Sequence, residues 1–242
     1  MKHWIFYDPP FEENQEKFKR YANSYELLKK GERPRHHYNT HMKRGILWAP
    51  LDCKPTGCTV YGKPENLKCS DYYPKYSDAL LNNKYFLVDV HNFIANKDHY
   101  FNEDTLFVRP DRADKPFDGA VISRNTNSFD LRRYIFGEFD GMILVAPTQN
   151  ILEEHRFVII DGRIITGSYY KKRKGHHLEF YEKEIKKGPA WSFVEANIKY
   201  QPSRAFTIDS CLTEDGYKIV ELNSFSHAGL YSCNIKKIVE AM

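Results

Sequence analysis

The chain has 242 residues, 41% of them apolar and 28% charged, and its 36 Lys and Arg against 32 Asp and Glu give a formal charge of +4. That length suffices for one large domain, or for a small lobe joined to a larger one, with a real core. No apolar run approaches the ~18 residues of a bilayer span, which excludes a transmembrane protein, and so mild a basic excess suits anionic substrates without marking a nucleic-acid binder.

Aromatic residues reach 15%, which argues for an ordered, well-packed protein. Residues 1–20 lack a basic start, an apolar centre and a small-residue cleavage site, so a cytoplasmic location is expected, with the five cysteines in a reducing compartment. Repeats and low-complexity runs are absent.

In chain order, 3–7 (HWIFY) reads as a strand stopped by Asp8-Pro9-Pro10. Residues 11–30 then place Phe11, Phe18, Tyr21, Tyr25 and Leu28 at roughly helical spacing. From 31 to 82 the chain is rich in His, Pro, Gly, Cys and Tyr, and loops are expected around one short strand at 45–51 (GILWAPL). Strands follow at 85–90, 106–109, 119–123 and 141–146, with a loop over 111–119. Asp161-Gly162 sits between the strand patterns 156–160 and 163–168, and Asp215-Gly216 between 205–211 and 217–222; both read as hairpins. Helices are expected at about 190–199 and 231–241. Strands alternating with helices, but with hairpins among them, give an α+β or mixed α/β class.

Three constellations carry chemistry. Asp209 lies near the end of one hairpin strand, and Glu221 and Asn223 lie two apart on its mate, which puts the latter pair on one face. Such oxygen-bearing side chains can hold a hard divalent cation; ordinary polar strand residues facing water are the alternative. Arg109 ends a strand and is followed by a loop with Lys115 and Gly119, an arrangement suited to triphosphate but equally to a solvated charged loop. Arg156 precedes the apolar run FVII and is placed either to clamp a phosphate or carboxylate or to pair with Glu153 or Glu154. The two hairpins are expected to border one cleft.

Two other features carry less. Cys53, Cys58 and Cys69 near His36, His37 and His41 match no strong zinc spacing, so free thiols are favoured. The run 170–177 (YKKRKGHH) reads as a mobile, substrate-facing loop, with nucleic-acid contact as the disfavoured alternative.

Taken in order, 106–119 (LFVRPDRADKPFDG), 151–170 (ILEEHRFVIIDGRIITGSYY) and 206–231 (FTIDSCLTEDGYKIVELNSFSHAGLY) resemble the ATP-grasp superfamily. The resemblance is to the clade named for two arginines and one lysine, common in bacteriophage genomes, and it covers roughly 83–235. It implies an α+β ATP-grasp fold, with ATP between two α+β lobes and a short N-terminal lobe. The division would be a pre-ATP-grasp-like lobe at 1–100 and nucleotide-binding and catalytic lobes at 101–242. It also implies an ATP- and Mg²⁺-dependent carboxylate–amine ligase, with Mn²⁺ as a substitute metal, acting through an acyl phosphate in the cytoplasm, or in the host cytoplasm if phage-encoded. The substrates would be small-molecule or peptide carboxylates and amines, with no membrane partner. Arg109 and Lys115 would contact phosphates, and Arg156 the transferred phosphoryl group. Leu144, Val145, Ala146 and Pro147 would form the adenine hinge, with Glu154 near the ribose. Asp209, Glu221 and Asn223 would be metal ligands, and Ser168, Tyr170 and the segment from Ser224 to Tyr231 the substrate wall. A small-molecule kinase that stops at the phosphorylated product, and a nucleic-acid or ribonucleoprotein binder using 170–177, remain the rivals.

Overall fold

The computed structural model describes residues 2–7, 12–21, 25–28, 43–47, 58–60, 67–112, 116–175, 177–225 and 228–242. By contact the chain divides into two compact units, one of residues 67–150 and one joining 1–66 to 151–242.

The unit 67–150 is built on an antiparallel sheet of β5 (Phe86–Asp89), β6 (Thr105–Pro110), β7 (Ala120–Ser123) and β8 (Met142–Pro147), in the order β5-β8-β6-β7. A domain boundary at residue 100 would cut this sheet, because Phe86 pairs with Val145. Val88, Leu106, Val108, Ile122, Ile143 and Val145 pack with Phe93, Phe101, Leu131 and Phe136 into one core. Each such side chain, fully buried, stabilises by about 1.5–3 kcal/mol relative to exposure.

Helices here were poorly signalled by sequence. Helix α2 (Cys69–Tyr76) falls where loops were expected and carries Pro74 inside it. It buries Tyr72, Tyr73 and Tyr76, and this burial outweighs the proline's missing N–H. The Asp111 carboxylate accepts the N–H of Ser70 in the first turn of that helix (2.9 Å). Helix α3 (Val90–Asn96) starts where the Asp89 side chain accepts the N–H groups of His91 (2.9 Å) and Asn92 (3.3 Å), a cap worth about 1 kcal/mol. A further helical turn, α4 (Ser128–Asp130), continues as a wider π turn over Leu131–Phe136.

The second unit holds two sheets. Strands β1 (Lys2–Tyr7), β2 (Tyr25–Leu28), β3 (Lys43–Leu47) and β4 (Cys58–Val60) form a parallel sheet in the order β2-β1-β3-β4. The expected helix over 11–30 is only α1 (Glu12–Lys19), because 25–28 pairs with β1 and sheet pairing overrides helical spacing. Cys53, His36, His37 and His41 lie outside the described residues, while Cys69 is buried with its sulfur 3.8 Å from the Tyr72 hydroxyl.

The other sheet is antiparallel: β9 (Glu153–Ile160), β10 (Arg163–Lys174), β11 (His177–Glu184), β12 (Ala205–Thr213) and β13 (Gly216–Ser224), in the order β11-β10-β9-β12-β13. Both hairpins form, and Asp161 and Gly162 turn the first with φ of 48° and 74°. Positive φ at both central residues is the twist-matched hairpin geometry. The hairpins bring Arg156 and Glu221 to one face, in register through Asp209. β9 pairs with β12, so they lie side by side in one sheet.

Residues 170–174 are strand rather than mobile loop, with the chain turning at Gly175 (φ 62°) into β11. Acidic neighbours hold the basic run flat: Lys171 pairs with Glu154 (3.4 Å), Lys172 with Glu153 (3.2 Å) and Lys174 with Glu179 (3.5 Å). Helix α5 (Pro189–Ala196) matches expectation, and α6 (Ile235–Ala241) begins later than expected, after Asn234 caps it by accepting the Lys237 N–H. Val158, Ile160 and Ala205 pack against Phe18, Phe225, Leu230, Ile235 and Ile238, which fixes α1 and α6 over this face of the sheet.

Candidate active site

Strand register aligns the polar residues. Arg156 lies opposite Ser168 on β10 and opposite Asp209 on β12, and Asp209 lies opposite Glu221 on β13. Directly opposed residues share a face, so these four side chains form a row across four strands. Glu154 and Asn223, each two positions along its strand, join the same face.

Arg156 and Asp209 are both buried. The guanidinium donates from Nε to Asp209 Oδ1 (2.7 Å) and from Nη2 to Oδ2 (2.6 Å), while Nη1 donates to the Gly229 carbonyl (2.8 Å). Burial pulls the Arg156 pKa down, but Asp209 more than compensates and holds it well above the ordinary arginine value. Three of its five N–H groups are thereby engaged by these contacts.

Asn223 Nδ2 donates to Glu221 Oε1 (2.9 Å) and to Asp209 Oδ2 (3.3 Å), drawing the expected ligand trio into one patch. The Tyr170 hydroxyl donates to Glu154 and lies 3.4 Å from Asp209 Oδ2. Burial, then Asp209 and Glu154, push the Tyr170 phenol well above its usual value, so it stays a donor. A register shift between Tyr169 and Lys171 aims this ring. It stacks on Tyr231 at 4.7 Å and an interplanar angle of 7°, and the Arg156 guanidinium carbon lies 5.5 Å and 5.0 Å from the two ring centroids.

Two carboxylates and a carboxamide are hard oxygen donors, so the residues present fit Mg²⁺, which with a bound nucleotide needs only one or two protein carboxylates. No cluster of three or more His, Cys, Asp or Glu suited to a metal occurs among the described residues.

Of the residues expected at the site, Glu154, Arg156, Ser168, Tyr170, Asp209, Glu221, Asn223 and Tyr231 come together. Ser168 and Tyr170 are buried and committed: Ser168 Oγ donates to the Tyr169 carbonyl (2.6 Å) and accepts the Ser232 N–H (3.2 Å). Ser224 is buried at the end of β13, opposite Phe206. Lys17, whose ammonium donates to the Tyr231 carbonyl (3.0 Å), was not anticipated, and Gly229, inside the expected substrate-wall segment, was not expected to hold Arg156 by its carbonyl; a backbone acceptor leaves no trace in side-chain spacing.

The remaining expected residues belong to the unit 67–150. Arg109 is buried on β6 opposite Leu144, and Leu144, Val145 and Ala146 are buried on β8. Lys115 falls outside the described residues. Val145, Ala146 and Pro147 line a pocket of about 280 Å³ together with Lys84, Phe86 and Tyr100.

The opposite face of the five-stranded sheet carries a different cluster. His155 is fully buried; its Nδ1 lies 3.3 Å from Ser210 Oγ, and its ring packs edge-on to Tyr169. Burial lowers its pKa against the opposing pull of Glu153.

Comparison with solved structures places this fold among ATP-grasp ligases. D-cycloserine synthetase DcsG superposes with a TM-score of 0.63 at 10% identity, over 99% of this chain and 98% of that one. ATP-grasp ligase PsnB complexed with minimal precursor gives 0.61 at 11%, over 99% and 97%. D-alanine–D-alanine ligase from Bacillus anthracis gives 0.60 at 11%, over 100% and 92%. No curated protein matches the sequence. The sequence model of one family covers residues 61–242, more than half of the chain, and the protein therefore belongs to the ATP-grasp domain, R2K clade family 3.

Proposed function

We propose that this protein is an ATP- and Mg²⁺-dependent ligase that joins a carboxylate to an amine through an acyl phosphate, releasing ADP and phosphate. The observation that carries the reading is the row Arg156–Asp209–Glu221, braced by Asn223, on a chain of the ATP-grasp family. Asp209, Glu221 and Asn223 would hold the magnesium, whose chemistry there is to neutralise charge on phosphate oxygens. Mn²⁺ would substitute for it.

Arg156 has the planar fork that a phosphoryl or acyl phosphate oxygen calls for, and its N–H groups would stabilise charge that develops at the γ position. Arg109 and Lys115 are assigned to the phosphates, the backbone of Leu144, Val145 and Ala146 to adenine, and Glu154 to the nucleotide. Tyr231 and Ser224 are assigned to the substrate wall. The set contains no Ser or Cys nucleophile, which suits chemistry that proceeds by positioning and electrostatics. Substrates are small-molecule or peptide carboxylates and amines. D-alanine–D-alanine ligase and D-cycloserine synthetase, which share the fold, are named for small-molecule products. Nucleic acid is disfavoured as a partner because Lys171, Lys172 and Lys174 are paired with acids of the same chain. A phage source and the host cytoplasm as location are part of the same proposal, carried by the sequence resemblance.

The test is an ATP turnover screen against pooled amino acids and peptides, with chromatography of the nucleotides and mass spectrometry of the products. ADP, phosphate and a new amide are expected. Stoichiometric AMP would overturn the mechanism, and ADP with a phosphorylated product and no amide would make the protein a kinase.

A further inference from the structure

We propose that Arg156 occupies the cation seat at Asp209 in the nucleotide-free protein, so that a divalent ion reaches Asp209 only when nucleotide phosphates draw the guanidinium away. This rests on the reading of Asp209 as a metal ligand given above and adds to it a competition between two cations for one carboxylate.

Asp209 is 1% exposed, and the Arg156 fork covers both of its oxygens at 2.6–2.7 Å. Its Oδ2 also faces Asn223 Nδ2 at 3.3 Å and the Tyr170 hydroxyl at 3.4 Å. A hard divalent ion coordinates a carboxylate oxygen at about 2.0–2.6 Å, and beside a guanidinium already in bidentate contact with a buried carboxylate it meets like-charge repulsion that solvent barely screens. The two cations therefore compete for Asp209.

The geometry gives Arg156 somewhere to go. Its Nη1 is held by the Gly229 carbonyl at 2.8 Å, and it lies over the stacked rings of Tyr170 and Tyr231, contacts that do not involve Asp209. Released from the carboxylate, the guanidinium keeps a carbonyl acceptor and two aromatic faces, and its freed N–H groups turn to a phosphate. Metal without phosphate offers no such compensation, so metal and nucleotide bind as a unit.

The experiment is nucleotide-free Mn²⁺ binding, followed by electron paramagnetic resonance, in the wild type and in Arg156→Gln, Lys171→Gln and Arg156→Gln/Asp209→Asn. Arg156→Gln should tighten Mn²⁺ binding by about tenfold or more, within the ordinary range of coupling between two ligands. The double variant should lose that gain. Lys171→Gln removes a charge from the same cluster without touching Asp209 and should change little; an equal gain there would mean that net charge, not competition, sets affinity, and would overturn the proposal. Should Arg156→Gln melt without cooperativity, Mn²⁺ is expected to restore its transition. Arg156→Lys, which cannot span both oxygens, is then the folded comparison, and wild-type Mn²⁺ affinity in it would also overturn the proposal. If Asp209→Asn leaves binding of Mn²⁺ with a non-hydrolysable ATP analogue intact, the ligand reading itself falls. If that variant abolishes such binding while Arg156→Gln matches the wild type without nucleotide, only the competition falls.

Discussion

The Arg156 guanidinium spans both oxygens of Asp209 across adjacent strands, with neither partner appreciably open to solvent. Breaking such a buried pair by removing one member leaves an uncompensated charge, a loss of about 3–5 kcal/mol. Arg156→Ala should therefore lower stability by roughly that amount in urea denaturation.

The same variant separates two roles for arginine. Arg156→Ala should reduce kcat more than nucleotide affinity, because its proposed partner gains charge only as the γ-phosphoryl group departs. Arg109→Ala and Lys115→Ala should mainly weaken ATP binding. Steady-state kinetics beside equilibrium nucleotide titration reads both, and effects on affinity alone in all three would refute the assignment of Arg156.

Glu221 is only partly buried, and a glutamine there keeps a carbonyl oxygen to accept the Asn223 amide. Glu221→Gln should abolish turnover yet leave the melting temperature within a few degrees of the wild type, as is usual for a change costing little stability. Retained turnover in that variant would show that its carboxylate does not serve the metal.

Gly162 sits at φ 74° in the β9–β10 turn, and a Cβ there would approach the Gln201 side-chain nitrogen to 2.6 Å. Gly162→Ala should cost about 1 kcal/mol or more from backbone conformation alone. Gly216→Ala in the other hairpin, at φ 101° but with open space around it, should show only the conformational part. Urea midpoints for the two variants give the comparison.

Cys211 and Cys233 are buried, and burial, with smaller contributions from Glu154 and from Asp209 respectively, pushes both thiols up to about 12. Their folded values exceed the unfolded thiol value of about 8.5, so their contribution to stability is fully present below that pH and is lost as pH rises from there to about 12. Stability measured against pH should fall across this window, more gently in Cys211→Ala/Cys233→Ala. In the native protein at pH 8, neither thiol should react with iodoacetamide before unfolding.

Sequence patterns located both hairpins because Asp161-Gly162 and Asp215-Gly216 announce turns between apolar strands, and the row of site residues follows from a period of two. Helix α2 was illegible because Pro74 and its tyrosines read as loop, and its stability comes from burying those rings. Strand β2 was misread as helix because Tyr25 and Leu28 satisfy both spacings, and only its pairing with β1 decides. The Arg156–Gly229 bond was out of reach because a backbone acceptor 73 residues away carries no signature. The acids offered to Arg156 by sequence proximity, Glu153 and Glu154, lost it to Asp209, which register places directly opposite.

Strand β9 serves two environments at once: Glu154 and Arg156 face the polar row, while Glu153 and His155 face the cluster with Ser210 and Tyr169. Adding or removing one residue between 153 and 160 would exchange the two sets, sending a histidine to Asp209 and an arginine into an aromatic enclosure. Descendants of this chain can vary that strand by substitution only, whereas the β10–β11 turn at Gly175, beyond the register that matters, is where length can drift.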